Sequence, residues 1–387
     1  MSTLWNLWRR GNALSLSRVL AVLVKEFIQL RRDRVTFGMI LGVPLIELVI
    51  FGFAINSDPK HLPTALFVQD HSAYSRAVVN SFANSGYFEL QGQHAGRHAG
   101  DRELLRGEVA FVVTIPEDFT YRLLRGERPR VLLEADATDP AASSNAIATA
   151  ETLVRSALAN ERLTVAGTDP GNPAFELVTH RRYNPEGISQ YNTVPGLLGV
   201  ILTMTMVMMP ALALTRESER GTMENLLAMP VTPLEVMLGK VLPYAGMGAV
   251  QVLIILGVSH AVFHVPMLGS YALLSVMIAL FIACVATLGY LISTVARNQM
   301  QAMQMTLFFF LPSILLSGFM FPFRGMPQWA QTLGELLPLT HFLRIVRAIM
   351  LKGAGFADIV AHTGPLLLFL LLVAAIALRR FRRTLDS

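Results

Sequence analysis

The chain has 387 residues, 53% of them hydrophobic and only 15% charged, with a net charge of +5 and a mean hydropathy of +0.48. Soluble domains carry about 25% charged residues, so this composition argues against a soluble enzyme, and its hydrophobicity excludes a disordered chain. A single cysteine, Cys284, excludes an intrachain disulfide framework.

The first amphipathic element is SLSRVLAVLVKEFIQLRRDR (15–34), with Leu16, Leu20, Leu23, Phe27 and Leu30 on one face and Arg18, Lys25, Gln29 and Arg32 on the other. It predicts a helix lying in the membrane interface, or else a plain extension of the span that follows. A membrane helix needs about 20 apolar residues, and residues 37–55 form the first candidate. Its basic leader is too long for a cleavable signal peptide and no small-residue cleavage pattern ends it, so it reads as an uncleaved span. Glu47 lies inside it. An intramembrane acid is a functional candidate by default, for a cationic substrate group or for pairing with another span; its position also allows contact with interfacial water.

Residues 56–190 are a hydrophilic insert with 13 Lys+Arg against 17 Asp+Glu; the rest of the chain has 19 against 10. The pattern predicts strand 64–70, helix 72–86 closed by Gly86, strand 108–116, helix 117–126, strand 129–136 and helix 141–163. Alternation of this kind points to a small α/β domain. Residues 164–190, rich in Gly and Pro, read as a connection back to the membrane.

Charge then disappears over long stretches: no Asp, Glu, Lys or Arg occurs in 187–215, 241–296 or 298–323. Further spans are expected at 192–214, 241–263, 271–294, 300–321 and 359–378, six in all. Segment 322–352 is too charged for a span; breaks at Phe321-Pro322-Phe323 and Pro327-Gln328-Trp329 precede short amphipathic helices. Lysine and arginine gather in 1–36, in 215–240 and in the tail 379–387, which places both termini in the cytoplasm and the insert outside. The basic excess therefore fits anionic lipid, not nucleic acid. Arg324, Arg344, Arg347 and Lys352 fall on the outside against this trend, and interfacial placement or lipid phosphate would explain the arginines.

The connection TRESERGTMENLLAMPVTPLEVMLGKVLPY (215–244) combines charge, two proline breaks and a helix start at Thr232-Pro233. It is either a docking surface for a cytoplasmic partner or a solvated loop. ERGTMENLLAMPVTPLEVMLGK (219–240) resembles the segment after the second span of ABC-2-type transporter permeases, and KEFIQLRRDR (25–34) is similar to the segment before their first span. The strand–helix insert and YNPEGISQYNTVPGLLG (183–199) also resemble the larger, drug-efflux-like members.

That resemblance implies a polytopic α-helical membrane protein of six transmembrane helices with an extracytoplasmic α/β domain between helices 1 and 2. Its parts would be a cytoplasmic N-terminus with the interfacial helix (1–36), helix 1 (37–55), the α/β domain (56–190), helices 2–6 (191–378) and a basic tail (379–387). Within 191–378, residues 215–240 would be the coupling loop and 322–352 an outer re-entrant segment. Glu217, Glu219, Arg220, Gly221, Thr222, Glu224, Leu227, Pro230, Gly239 and Lys240 match the coupling pattern. Glu219, Arg220 and Glu224 are then partner contacts, unless they pair internally. Lys25, Glu26, Arg31, Arg32 and Arg34 fall in the family's interfacial helix.

The chain has no P-loop: its Gly239-Lys240 pair is followed by valine and lacks the upstream glycine. The resemblance thus implies that a separate ATP-binding cassette subunit uses ATP and Mg, and that this chain binds no cofactor and is no enzyme. It also implies a second permease chain, identical or homologous, and in some systems a periplasmic adaptor protein. The location expected is a bacterial inner membrane. His260/His264 and His94/His98 have a four-residue spacing but no third ligand in view, so no metal site is expected. The cargo is expected to be amphipathic or hydrophobic. The alternative is a non-transporting scaffold or receptor that uses the α/β domain as a binding module.

Overall fold

The structure, a computed structural model, describes residues 59–93, 97–158, 173–219 and 233–385. The predicted interfacial helix with Lys25, Glu26, Arg31, Arg32 and Arg34, the first predicted span with Glu47, and Arg220, Gly221, Thr222, Glu224, Leu227 and Pro230 lie outside the described residues.

The insert folds around a five-stranded sheet in the order β2-β1-β3-β4-β5: β1 (Leu62–Val68), β2 (Phe88–Gln93), β3 (Phe111–Ile115), β4 (Arg130–Asp136) and β5 (Glu176–Arg182). β1 runs parallel to β2 and β3, β4 antiparallel to β3, and β5 parallel to β4. Period-two alternation divides the side chains between the two faces. Phe111, Val113 and Ile115 of β3 and Val131, Leu133 and Ala135 of β4 enter the main core with Phe82, Phe119 and Phe175. Helices α1 (Ala73–Asn84), α3 (Phe119–Leu124) and α4 (Pro140–Ser156) contribute to that core. On the other face α2 (Arg97–Arg106) packs on β1 and β3 through Leu104, against Ala65 and Val112.

Local chemistry fixes these elements. Ser72 caps α1 by accepting from the Ser75 amide, and Asp70 accepts from the amides of Ser72 at 2.8 Å and Thr120 at 2.7 Å. One carboxylate thereby ties the starts of α1 and α3 together. Asp139 caps α4 ahead of Pro140, where a missing N–H costs nothing. The sequence reading differs at the edges: β2 and β5 are both strands, the latter inside the stretch 164–190 read as a connection, and α2 precedes β3. The helix predicted over 141–163 is described over Pro140–Ser156.

Asn184 closes the turn after β5 by binding both the amide and the carbonyl of Ile188, and the chain enters α5 (Ser189–Glu219). Then come α6 (Pro233–Ala261), α7 (Tyr271–Val295), α8 (Gln299–Leu316), α9 (Gln328–Glu335), α10 (Pro338–Lys352) and α11 (Phe356–Leu385). Among the described residues five helices, α5, α6, α7, α8 and α11, are long and apolar enough to cross a membrane. α7 packs along α5 and α11, and α8 along α5. The α5–α7 approach is close because Gly289 leaves room for the backbone of Val207.

α10 is the exception to the spanning pattern. Fifteen residues rise about 22 Å, too short for the hydrocarbon core, yet α10 is buried among α5, α7 and α11. Phe342 stacks on Phe281 of α7 with ring centroids 3.9 Å apart. The helix stops at Gly353, whose φ of 68° is the left-handed cap that favours glycine.

Candidate functional site

Two polar layers stand at opposite ends of the bundle. At the end away from the α/β domain, Leu214, Met237, Val241, Ala286, Tyr290 and Ala377 close an apolar cluster between α5, α6, α7 and α11. Charged groups rim it. Glu217 of α5 forms an ion pair with Lys240 of α6. Glu219, the last residue of α5, accepts from Gln299 twice, from its backbone amide at 2.8 Å and from its Nε2 at 2.5 Å. Arg216 Nε donates to Gln299 Oε1 at 3.2 Å.

Gln299 begins α8. Asn298 caps that helix by accepting from the Gln301 amide at 2.8 Å, and Gln301 in turn accepts from the Arg297 amide at 2.6 Å. The reciprocal arrangement satisfies donors that a helix start leaves open. Of the coupling residues read from the sequence, the structure brings Glu217 and Lys240 together, turns Glu219 toward α8, and leaves Gly239 exposed with open space around it. Gln299 was missed, although Asn298 three residues before Gln301 at the head of an apolar run is a legible cap signal.

At the other end the α/β domain is joined to the bundle by cations of the 322–352 segment and their acceptors. Lys352 Nζ reaches Asp136 Oδ2 at 2.6 Å and the Leu104 carbonyl at 3.0 Å, 5.1 Å from the ring centre of Tyr183. Arg324 donates to the carbonyls of Gly107 and Glu108. Lys352 thus grips the C-terminal end of α2 and Arg324 the two residues after it, where the helix dipole favours cations. Arg106 pairs with Asp358 of α11 at 3.3 Å, and Asn192 of α5 donates to Asp139 at 3.3 Å.

The remaining cations of this segment also have protein partners. Arg344 binds Glu335 at 2.7 Å and lies over the Phe323 ring, and Arg347 donates to the Gly318 carbonyl. Each of these arginines has an intramolecular acceptor: bringing α2 and the 322–358 segment together supplies carbonyls and carboxylates that no linear reading displays.

Burial shapes the acids and bases here. It raises the Asp139 carboxyl, with Arg347 opposing. It pushes the Tyr183 hydroxyl up to about 12, helped by Asp136. It also lowers His341, whose Nε2 lies 2.8 Å from the Glu335 carbonyl. Asp70 runs the other way: burial works to raise it, but hydrogen bonds from Thr120 and Ser72 outweigh that and leave it lowered.

Between the two polar layers, α5 and α6 flank an open apolar groove of about 460 Å³ on the bundle surface. It is lined by Ile201, Met206, Met209, Met247, Val250 and Ile254, with Thr205 donating to Gln251 at 2.9 Å as its polar point.

Residues 34–379 match the family described as ABC-2 family transporter protein. The chain belongs to the ABC-2 transporter family. Escherichia coli "Probable multidrug ABC transporter permease YbhS" is 30% identical over 88% of this chain and 90% of the relative. "Probable multidrug ABC transporter permease YbhR" from the same organism is 27% identical over 95% and 98%, and "Inner membrane transport permease YhhJ" 30% identical over 89% and 93%. With five described helices long and apolar enough to cross a membrane, this ABC-2 family member is a multi-pass membrane protein with a role in transport.

Proposed function

We propose that this ABC-2 protein is the permease subunit of an ATP-driven exporter of amphipathic or hydrophobic compounds. The family match over residues 34–379 carries the reading. ABC-2 permeases in general work with an ATP-binding subunit, and here that subunit docks on 215–240. Residues 37–55 make the first of six spans, and both termini and the docking loop face the cytoplasm. The α/β domain faces the other side of a bacterial inner membrane, where an adaptor protein is a candidate partner. Relatives named as multidrug permeases support a drug-like cargo. Glu47 is proposed to line the pathway, and a second permease chain to complete it.

The test is affinity purification of the tagged chain from native membranes in mild detergent, beside an Arg220→Glu, Glu224→Lys variant. An ATP-binding protein should co-elute with the wild type and fall at least fivefold with the variant. Retention by the variant would remove those two residues from the contact. Absence of any ATP-binding partner from the wild type would overturn the exporter reading.

A further inference from the structure

Five helices, α5, α6, α7, α8 and α11, end at the polar layer away from the α/β domain, and the last turn of α5 sends its charges in two directions. Glu217 goes to α6 through Lys240. Arg216 and Glu219, three residues apart and so on one helix face, both go to α8 through Gln299.

We propose that Glu219 is a positioning residue that carries motion of the 215–240 segment from α5 to α8, while the Glu217–Lys240 pair carries it separately to α6. The inference rests on the reading that an ATP-binding subunit acts on that segment.

The geometry makes the Glu219 link directional. One carboxylate holds both the backbone amide and the side-chain amide of Gln299, so it fixes the first residue of α8 in position and in orientation. Arg216 holds the other end of the same amide, which sets which atom is oxygen and which nitrogen. A carboxylate at a helix N-terminus is further favoured by the dipole, and hydrogen bonds to a charged acceptor are about twice as strong as neutral ones. α8 cannot shift along its axis at this end without breaking both bonds or taking Glu219 along. α6 lacks any such grip on α8 among the hydrogen bonds and ion pairs described; at this end its polar link to α5 is the Lys240 pair, and Thr205 with Gln251 joins the two helices deeper in the bundle.

Two reporters separate the routes. Met320, just beyond α8, and Val262, just beyond α6, are 52% and 61% exposed at the far end of the bundle. Cys284 is buried, so a cysteine introduced at either position dominates thiol labelling. The full chain is purified with its ATP-binding subunit, and the labelling rates of Met320→Cys and Val262→Cys are measured with and without ATP and vanadate. In the wild-type background both rates should respond to nucleotide. Glu219→Ala should reduce the Met320→Cys response at least threefold while the Val262→Cys response and the bound subunit persist. The exchange Glu219→Gln with Gln299→Glu keeps an amide facing a carboxylate and leaves Arg216 an acceptor, so it should restore the Met320→Cys response; a loss of folding would not be repaired this way.

An undiminished Met320→Cys response in Glu219→Ala would overturn the proposal. Equal loss at both reporters, or loss of the bound subunit, would also overturn it and make Glu219 a partner contact. If no ATP-binding subunit accompanies the wild type, or neither reporter responds in it, the exporter reading falls first and takes this inference with it.

Discussion

Lys352 stands at the C-terminal end of α10 with its side chain 6% exposed, and what surrounds its ammonium is the Asp136 carboxylate, the Leu104 carbonyl and the Tyr183 ring face. Asp136, 15% exposed, spends its other oxygen on the amide and hydroxyl of Thr138. Removing one member of such a buried pair strands the other charge, at a cost of about 3–5 kcal/mol. Lys352→Met should therefore destabilise the protein by about that amount, and adding Asp136→Asn should recover most of it, as read by denaturant unfolding in detergent. A single variant within 1 kcal/mol of wild type would mean that the pair is screened by water. Asp70 makes a pH prediction of determinate sign. Its folded pKa is depressed, so its stabilisation is present above the unfolded value, about 3.9, and is lost as pH falls through the folded value. Asp70→Asn should flatten the acid side of the α/β domain's stability between pH 5 and 3, followed by near-UV circular dichroism. An unchanged acid slope would count against the Ser72–Asp70–Thr120 tie as its source.

α5 and α7 are held at a spacing that only glycine permits at position 289. A Cβ there would meet the Val207 carbonyl carbon and Cα at 3.1 Å, and backbone cannot rotate away as a side chain can. Overpacking a core costs about 1–3 kcal/mol, so Gly289→Val should lower the unfolding temperature. Gly246→Ala on α6, with open space at its Cβ, should leave it unchanged or higher. Equal effects would mean that the close approach adds nothing. The same scale explains what could be read in advance. Central strands β1, β3 and β4 are apolar runs, and the spanning helices carry their charges only near their ends, so both were legible. β2 (FELQGQ) and β5 (ELVTHRR) are the two sheet edges. Edge strands pair on one side only and carry charge and polarity, which erases the hydrophobic signal. α2 (RHAGDRELLR) has the same difficulty, since its grip on the sheet rests on Leu104. α10 was legible as an amphipathic helix after Pro338, but its burial depends on three helices distant in sequence.

In the whole molecule, charge is divided unevenly along the chain. The α/β domain is net acidic and the remainder of the chain basic, yet several cations of the 322–358 segment lie on the domain's side of the bundle. The junction resolves the conflict: Arg324 and Lys352 are spent on the α2 carbonyls and Asp136, and Arg344 on Glu335. Cations engaged in this way do not have to be weighed against the described cations at the opposite end, Arg216, Lys240 and Arg380. The orientation can then be tested with one thiol on each side. Tyr121 on α3 is 63% exposed, and Arg380 near the end of α11 is exposed at the opposite end of the bundle. In intact spheroplasts, a membrane-impermeant maleimide should label Tyr121→Cys and leave Arg380→Cys unlabelled until the membrane is opened, with buried Cys284 as the background in both. Reversed labelling would invert the protein, place the 215–240 loop beyond the reach of ATP, and exclude a cytoplasmic ATP-binding subunit acting through Glu219.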